Sequence, residues 1–421
     1  MPTITVVGLG FVGLTTALGL SEKGFQVYGF DVHRSKAEKI QSGNVPFYEP
    51  GLTELLHKHQ GRNFTLVSEL QEAACSDIFL FCVGTPSQES GAVDLQPLNK
   101  ALKQTLKCLD SSRFQVLCIK STVPPPTTFA HVRKEIEDYG YTVGKDIGLA
   151  NNPEFLREGH AVDDFLTPDR IIIGVSDNRT QKIMEKLYDF FNVSIHILNL
   201  NTAEYVKYLS NNLLATLISF ANEQSMIARA IGDIDIQKAF SVLIQDKRWF
   251  GTPANMTTYV WPGCGFGGYC LPKDVIAMKF QSQSFGYEAS LLKEVLSIND
   301  RIMPHLTDVF IKSVSTDSRI TILGLAFKPG SDDVRSSPAA KLIMLLGERG
   351  YNLLTAYDPM AADSFQSLYG FDINYADTME EAVSDSDAVV LITAWPEFAE
   401  KASSLKKRIV FDFRYFLTNE D

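Results

Sequence analysis

Residues 4–13 read Ile-Thr-Val-Val-Gly-Leu-Gly-Phe-Val-Gly, a run of β-forming residues that breaks into glycines at 8, 10 and 13. This decad constrains the fold more than any other stretch of the chain. A buried strand turns sharply at Gly8. Gly10 leaves no side chain where backbone approaches a ligand, and Gly13 lets the next helix pack against the strand. The bare helix N-terminus that results attracts phosphate oxygens. Asp31 closes the following apolar run, Gln26–Phe30. A carboxylate there accepts hydrogen bonds from an adenine-ribose diol and repels a 2′-phosphate. Gly8, Gly10, Phe11, Val12, Gly13 and Asp31 are therefore expected to hold NAD rather than NADP, although Arg34 lies close by. A glycine-rich turn without a ligand is the alternative.

Apolar runs recur through the first 150 residues at Ile4–Gly8, Gln26–Phe30, Ile78–Val83 and Val116–Lys120, with amphipathic segments between them. Strand–helix alternation predicts a parallel sheet covered on both faces. Thr202–Ile231 instead carries apolar residues at helical spacing, and Gly232 offers a stop. Such a long helix predicts a spine between domains or an oligomer interface. Alternation returns at Arg319–Leu323, Asn352–Tyr357, Ala388–Thr393 and Ile409–Phe413. The openings ITVVGLG and ITILGLA are alike, but the second lacks the later glycines and is not expected to bind a dinucleotide the same way. The fold class expected is α/β: two Rossmann-like doubly wound parallel-sheet domains joined by a central helical domain with a long spine helix. The expected boundaries are 1–199, 200–300 and 301–421.

A formal net charge of −11 speaks against general nucleic-acid binding, which needs dense positive charge. The 45% hydrophobic and 21% charged content is that of an ordinary globular chain. Six cysteines form no C-x-x-C pair and seven histidines no H-E-x-x-H pattern, so no metal is expected. Sparse cysteines predict reduced thiols and a cytoplasmic setting. Residues 4–20 lack a basic lead and are interrupted by glycines, so they read as folded structure rather than a signal sequence. No uninterrupted apolar run reaches the ~18 residues of a membrane span.

Several segments carry chemistry-bearing side chains. Gly263–Asp274 reads GCGFGGYCLPKD. Pro272 favours a first helical position, which sets Cys270 at a helix N-terminus where the dipole and nearby lysines stabilise a thiolate. Beside a dinucleotide, a thiolate can trap an aldehyde and carry it to a thioester. A small buried cysteine in a tight turn is the alternative. Lys207 and Asn211 share one helix face and can stabilise an oxyanion, or else form a solvated polar face. Asn152–Gly159 offers Glu154 and Glu158 as bases, or as ordinary acidic residues of a first helical turn. Ser121 and Thr122 end a strand at the edge where open sheets bind ligands, or form a plain turn. Lys328 and Arg335 suit phosphate or sugar, or pair on the surface with Asp332 and Asp333. Cys75, Cys82, Cys108 and Cys118 fall in or beside core elements and receive no role.

Taken in order, these motifs resemble the UDP-glucose/GDP-mannose dehydrogenase family over essentially the whole chain. The matching segments are GLGFVG, YEPGL (48–52), VGTP (83–86), STVP, NPEFLREG, PDRIIIG (168–174), Lys207 with Asn211, GFGGYCLPKD, FKPGSDDVRSSP, AYDP (356–359) and Asp412–Arg414. The resemblance implies NAD-dependent, four-electron oxidation of a nucleotide-sugar C6 alcohol to a uronic acid by a homodimer. It implies a thioester on Cys270, oxyanion stabilisation by Lys207 and Asn211, and Asp274 positioning Lys207 and a water. Glu154 is implied as the hydrolytic base, with Thr122 holding a water. Implied NAD contacts add Val83, Gly84, Thr85, Pro86, Ser121, Thr122, Glu158 and Arg335. Implied substrate contacts are Glu154, Phe155, Leu156, Arg157, Lys207, Asn211, Arg248, Gly265, Phe266, Gly267, Phe327, Lys328 and Arg414. The chain departs from the family pattern in three places: Arg248 lies 22 residues before Cys270 instead of about sixteen, Tyr269 replaces a serine, and Tyr415 replaces an asparagine. The GFGG run favours UDP-glucose as substrate, the CLPKD run also suits GDP-mannose, and a UDP-N-acetylhexosamine is third. A two-electron hydroxyacid-type dehydrogenase, or an inactive NAD-binding protein, belongs to a different class and needs no thiol.

Overall fold

The computed structural model describes residues 1–246, 249, 261–284, 286, 288–405 and 408–417, apart from the side chains of 223, 224, 226, 227, 230 and 231. The chain divides into two compact units, Met1–Ser210 and Asn211–Asp421.

In the first unit, eight strands form one sheet: β1 (Ile4–Val7), β2 (Val27–Phe30), β3 (Phe64–Leu66), β4 (Ile78–Phe81), β5 (Gln115–Ile119), β6 (Ile147–Asn151), β7 (Arg170–Val175) and β8 (Ser194–Leu198). Their order is β3-β2-β1-β4-β5-β6-β7-β8. Every residue of β1, β4 and β5 is buried, because helices cover both faces of the sheet. One apolar layer gathers Val6, Leu14, Leu18 and Ile78, and the other Val7, Phe79, Leu102 and Ile119. The sheet departs from the expected parallel pattern at one place, since β6 and β7 pair antiparallel. A parallel return is usually made by a helix that crosses back over the sheet. The helix between them, Ala161–Leu166, has six residues and spans only about 9 Å.

The second unit holds a parallel sheet of β9 (Ile320–Leu323), β10 (Leu354–Tyr357), β11 (Asn374–Tyr375), β12 (Ala388–Leu391) and β13 (Ile409–Asp412). Its order is β11-β10-β9-β12-β13. Ile320, Ile322, Leu342, Leu346, Val389 and Leu391 pack its core with Phe310. Helices Ile236–Leu243, Cys270–Ser284 and Ser290–Ile311 precede the sheet.

One helix, Leu200–Ile231, spans the division between the units. It begins two residues before the expected start and ends where expected, with Gly232 at φ +80°. In each sheet the strand order reverses beside the first strand, between β1 and β4 and between β9 and β12. Ligands of open α/β sheets bind beyond the carboxyl ends of such a strand pair.

Candidate active site

At the end of β1 the backbone is shaped for a phosphate. The helix Phe11–Glu22 starts on Gly10, whose backbone is extended and which offers no side-chain cap. A Cβ on Gly13 would lie 1.8 Å from the Gly8 carbonyl oxygen, so only hydrogen fits there. Gly8 itself sits at φ +92°. Asp31 follows β2 and is buried. Its Oδ2 accepts the Leu9 N–H at 2.8 Å and Lys36 Nζ at 2.8 Å, and its Oδ1 accepts the His33 N–H at 2.9 Å. Val83 and Thr85 follow β4 and are laced to the end of β5. Ser121 Oγ donates to the carbonyl of Val83 at 2.7 Å, and Thr85 Oγ1 to that of Thr122 at 2.9 Å. An uncapped helix N-terminus, a cradle too tight for a Cβ and a carboxylate at the strand end together fit a dinucleotide.

Residues 152–157 are irregular and the next helix begins at Ala161, which corrects the alternative of acidic residues in a first helical turn. Glu154 is buried; its Oε1 lies 3.1 Å from Lys207 Nζ and its Oε2 accepts the Leu156 N–H at 2.6 Å. The Lys207 ammonium also lies 5.2 Å from the centre of the Phe155 ring. Lys207 and Asn211 are 5% and 7% exposed, so their helix face is not the solvated one. Glu49, in the YEPGL motif, accepts the N–H groups of Gly159 and Ala161, each at 2.8 Å, and so anchors the segment of Glu158. Arg157 is bound by Asp164 at 2.6 Å.

Two buried ionisable groups of this unit were not evident from sequence. Lys120 donates to Asn152 Oδ1 at 2.9 Å, and burial pulls its ammonium below the ordinary lysine range. Glu204 is 1% exposed and its Oε1 accepts the Thr128 N–H at 2.7 Å. Burial pushes its carboxyl up to about 8. Glu204 precedes Lys207 by three positions on one helix face, and that spacing was the available signal.

In the second unit Cys270 is exposed and opens the helix Cys270–Ser284. The helix starts two residues earlier than Pro272, which the first turn tolerates because its N–H has no intrahelical acceptor there. The buried-cysteine alternative is thereby overturned. Asp274, one turn on, is 1% exposed. It accepts a short hydrogen bond from Asn211 Nδ2, and its Oδ1 lies 2.5 Å from Lys273 Nζ. Burial alone would lower the Lys273 pKa, but the charge and hydrogen bond of Asp274 outweigh it and raise the pKa overall.

The glycine-rich loop before Cys270 is packed to contact. A Cβ on Gly263 would meet Arg414 Nη1 at 2.7 Å, and one on Gly267 would meet the Ser336 carbonyl at 2.4 Å. Phe266 exchanges hydrogen bonds with the Asn299 amide at 2.7 and 3.0 Å. Gly265 takes φ +88°. The Gly268 N–H donates to the Arg335 carbonyl at 2.8 Å. The Phe327 N–H donates to the carbonyl of Asp333 at 3.1 Å, and Lys328 Nζ sits 5.5 Å from the Phe327 ring centre. The surface-pairing alternative for Arg335 is partly realised, since Asp333 binds its Nε at 2.9 Å and its Nη2 at 2.6 Å. Arg414 follows β13 and gives its N–H to Asp412 at 2.9 Å. Tyr415 has φ +50°, and its phenol oxygen accepts Arg229 Nη2 at 2.5 Å. Arg248 lies outside the described residues. Cys82, Cys108, Cys118 and Cys264 are buried and Cys75 is exposed.

Comparison with known proteins accounts for the three parts of the chain. Residues 2–192 match the NAD binding domain of the UDP-glucose/GDP-mannose dehydrogenase family, 201–301 its central domain and 321–419 its UDP binding domain. The chain is 33% identical to a UDP-glucose 6-dehydrogenase of Haloferax volcanii, over 99% of this chain and 98% of that one. It is 32% identical to a GDP-mannose 6-dehydrogenase of Pseudomonas savastanoi pv. phaseolicola, over 99% and 97%. The solved UDP-glucose dehydrogenase of Pyrobaculum islandicum superposes with a TM-score of 0.89 at 32% identity, over 99% and 98% of the two chains.

Proposed function

We infer, from the premise that this chain belongs to the UDP-glucose/GDP-mannose dehydrogenase family and is an NAD-dependent nucleotide-sugar dehydrogenase, that it oxidises UDP-glucose to UDP-glucuronate in two two-electron steps. The observation that carries the reading is Cys270: exposed, at a helix N-terminus, one turn from a buried Asp274 that also binds Asn211. Bound NAD supplies the acceptor for the hydride lost from C6 in each oxidation. Gly8–Gly13 and Asp31 bind it, joined by Val83–Pro86, Ser121, Thr122, Glu158 and Arg335.

The remaining chemistry belongs to side chains. The Cys270 thiolate adds to the C6 aldehyde; a carbon–sulfur bond forms and the carbonyl oxygen gains a negative charge. The Lys207 ammonium and Asn211 amide stabilise that oxygen, and Asp274 fixes the amide. After the second oxidation the sugar is a thioester. Glu154 takes a proton from a water held by Thr122, and the hydroxide attacks the thioester carbon. The carbon–sulfur bond then breaks and the thiolate returns. Phe155–Arg157, Gly265–Gly267, Phe327, Lys328, Arg248 and Arg414 are assigned to the nucleotide sugar. The 33% identity to the Haloferax enzyme and the GFGG run support UDP-glucose over GDP-mannose or a UDP-N-acetylhexosamine.

The expected result with UDP-glucose is two NADH per sugar, followed by absorbance beside GDP-mannose and a UDP-N-acetylhexosamine. Cys270→Ser lowers acid formation by about a thousandfold or more. Acid formed at the parental rate by that variant would remove the thioester mechanism. We also assign the three-part division 1–199, 200–300 and 301–421, with the central part making a homodimer. Tyr205, Leu209, Leu213 and Phe220 form an exposed apolar row along the long helix that a second copy would bury. A monomeric mass at micromolar concentration in sedimentation equilibrium would exclude it.

A further inference from the structure

Two loops of the second unit are tied together at Tyr269. One is the glycine-rich loop that ends on Cys270; the other runs from Ser331 to Ser337. Their backbones meet where the Gly268 N–H donates to the Arg335 carbonyl at 2.8 Å. Gly267 sits so close that a Cβ would lie 2.4 Å from the Ser336 carbonyl oxygen. Ser336 adopts φ +51°, a left-handed conformation that turns the second loop back at this point. The next side chain in the first loop is the Tyr269 ring.

That ring faces two cations. The Arg335 guanidinium carbon lies 4.4 Å from the ring centre and Lys273 Nζ lies 5.5 Å from it. Both are within the ~6 Å over which a ring face attracts a cation. Asp333 holds the same guanidinium by Nε and Nη2 at 2.9 and 2.6 Å. The Arg335 head is therefore gripped by a carboxylate and by an aromatic plane, although the side chain is 50% exposed. An unsupported arginine at that exposure samples many rotamers, and binding must freeze them at a cost in entropy. A serine at 269 supplies no such plane.

We propose that Tyr269 is a positioning residue that pre-orders the Arg335 guanidinium for the dinucleotide and locks that arginine to the loop bearing Cys270. The proposal rests on the reading of Arg335 as a cofactor contact. Tyr269 acts through its ring, not its hydroxyl, and its effect falls on cofactor affinity rather than on the chemical step.

Calorimetric titration of NAD into the full-length protein tests this, using Tyr269→Ser, Tyr269→Phe, Arg335→Ala and the Tyr269→Ser/Arg335→Ala double variant. Tyr269→Ser weakens NAD binding about tenfold, within the range of a cation–π contact, while kcat at saturating NAD stays within about twofold. Tyr269→Phe keeps the parental Kd within about twofold, because the ring remains. The double variant binds no more weakly than Arg335→Ala, because the ring acts on the cofactor only through the arginine. Loss of affinity in Arg335→Ala with parental affinity in Tyr269→Ser overturns the clamp alone. So does an equal loss in Tyr269→Phe and Tyr269→Ser. Parental affinity in Arg335→Ala removes instead the reading of Arg335 as a cofactor contact.

Discussion

The two parallel sheets begin alike and end differently. Each opens with an Ile-Thr-x-x-Gly-Leu strand, each has its order reversed beside that strand, and each sets a left-handed glycine at the strand end, Gly8 at φ +92° and Gly324 at φ +95°. Each places an aspartate after its second strand. Asp31 accepts the Leu9 N–H at 2.8 Å and Asp358 accepts the Leu325 N–H at 2.7 Å, the same bond in both halves. Beyond that bond they part. In the first half the helix follows at once on an uncapped Gly10. In the second, a loop intervenes before Pro338, and Ser337 Oγ caps the helix by accepting the Ala339 N–H at 3.1 Å. Asp358 is also closed in: it accepts the N–H groups of Ala326, Met360 and Ala361 and Trp395 Nε1 at 2.9–3.1 Å. One topology thus yields an NAD-binding half whose helix N-terminus is left bare, and a structural corner where Ser337 caps the helix and five protein donors enclose the carboxylate.

Substitutions can break this contrast. The largest effect is expected at Asp358. Asp358→Ala strips an acceptor from five donors, most of them buried, and should cost about 4 kcal/mol in urea unfolding, with NADH affinity unchanged. Asp31→Ala should cost less stability and weaken NADH about tenfold, or ~1.4 kcal/mol, by fluorescence titration. Equal loss of NADH affinity in both would end the contrast. Next comes Gly13→Ala, whose methyl has no room against Gly8. Thermal unfolding should show a loss of about 3 kcal/mol, and NADH binding should disappear. The smallest pair concerns the caps. Ser337→Ala should destabilise by about 1 kcal/mol. Gly10→Ser has open space for its Cβ and should gain a few tenths of a kcal/mol while weakening NADH, because its hydroxyl competes for the helix N–H groups. Tighter NADH binding in Gly10→Ser would show that the bare N-terminus is not the phosphate site.

The same contrast explains what the sequence disclosed. β1, β2, β4 and β5, and β9, β10, β12 and β13, were legible because strands buried in a covered sheet appear as near-continuous Val, Ile, Leu and Phe. β3 and β11, three and two residues long, and the partly exposed edge strand β8 carry no such run. The candidate site was legible where chemistry is local: glycines beside a strand, Cys270 before Pro272, and Lys207 four residues from Asn211. It was illegible where the partner lies far along the chain. Glu204 meets Thr128 across 76 positions and Lys120 meets Asn152 across 32. Nothing in the AYDP motif announces that Asp358 will be enclosed by Trp395. Spacing reveals which residues share a face, not which distant donor fills a carboxylate.

Tyr415 shows where such enclosure has a consequence for later change. Its φ of +50° suits asparagine far better than an aromatic residue, yet its phenol engages Arg229. Local backbone preference and a long-range tether pull this position in opposite directions. Drift toward a small amide would relax the main chain and release Arg229 in one step, so position 415 can exchange backbone ease for a long-range tether without touching the cysteine.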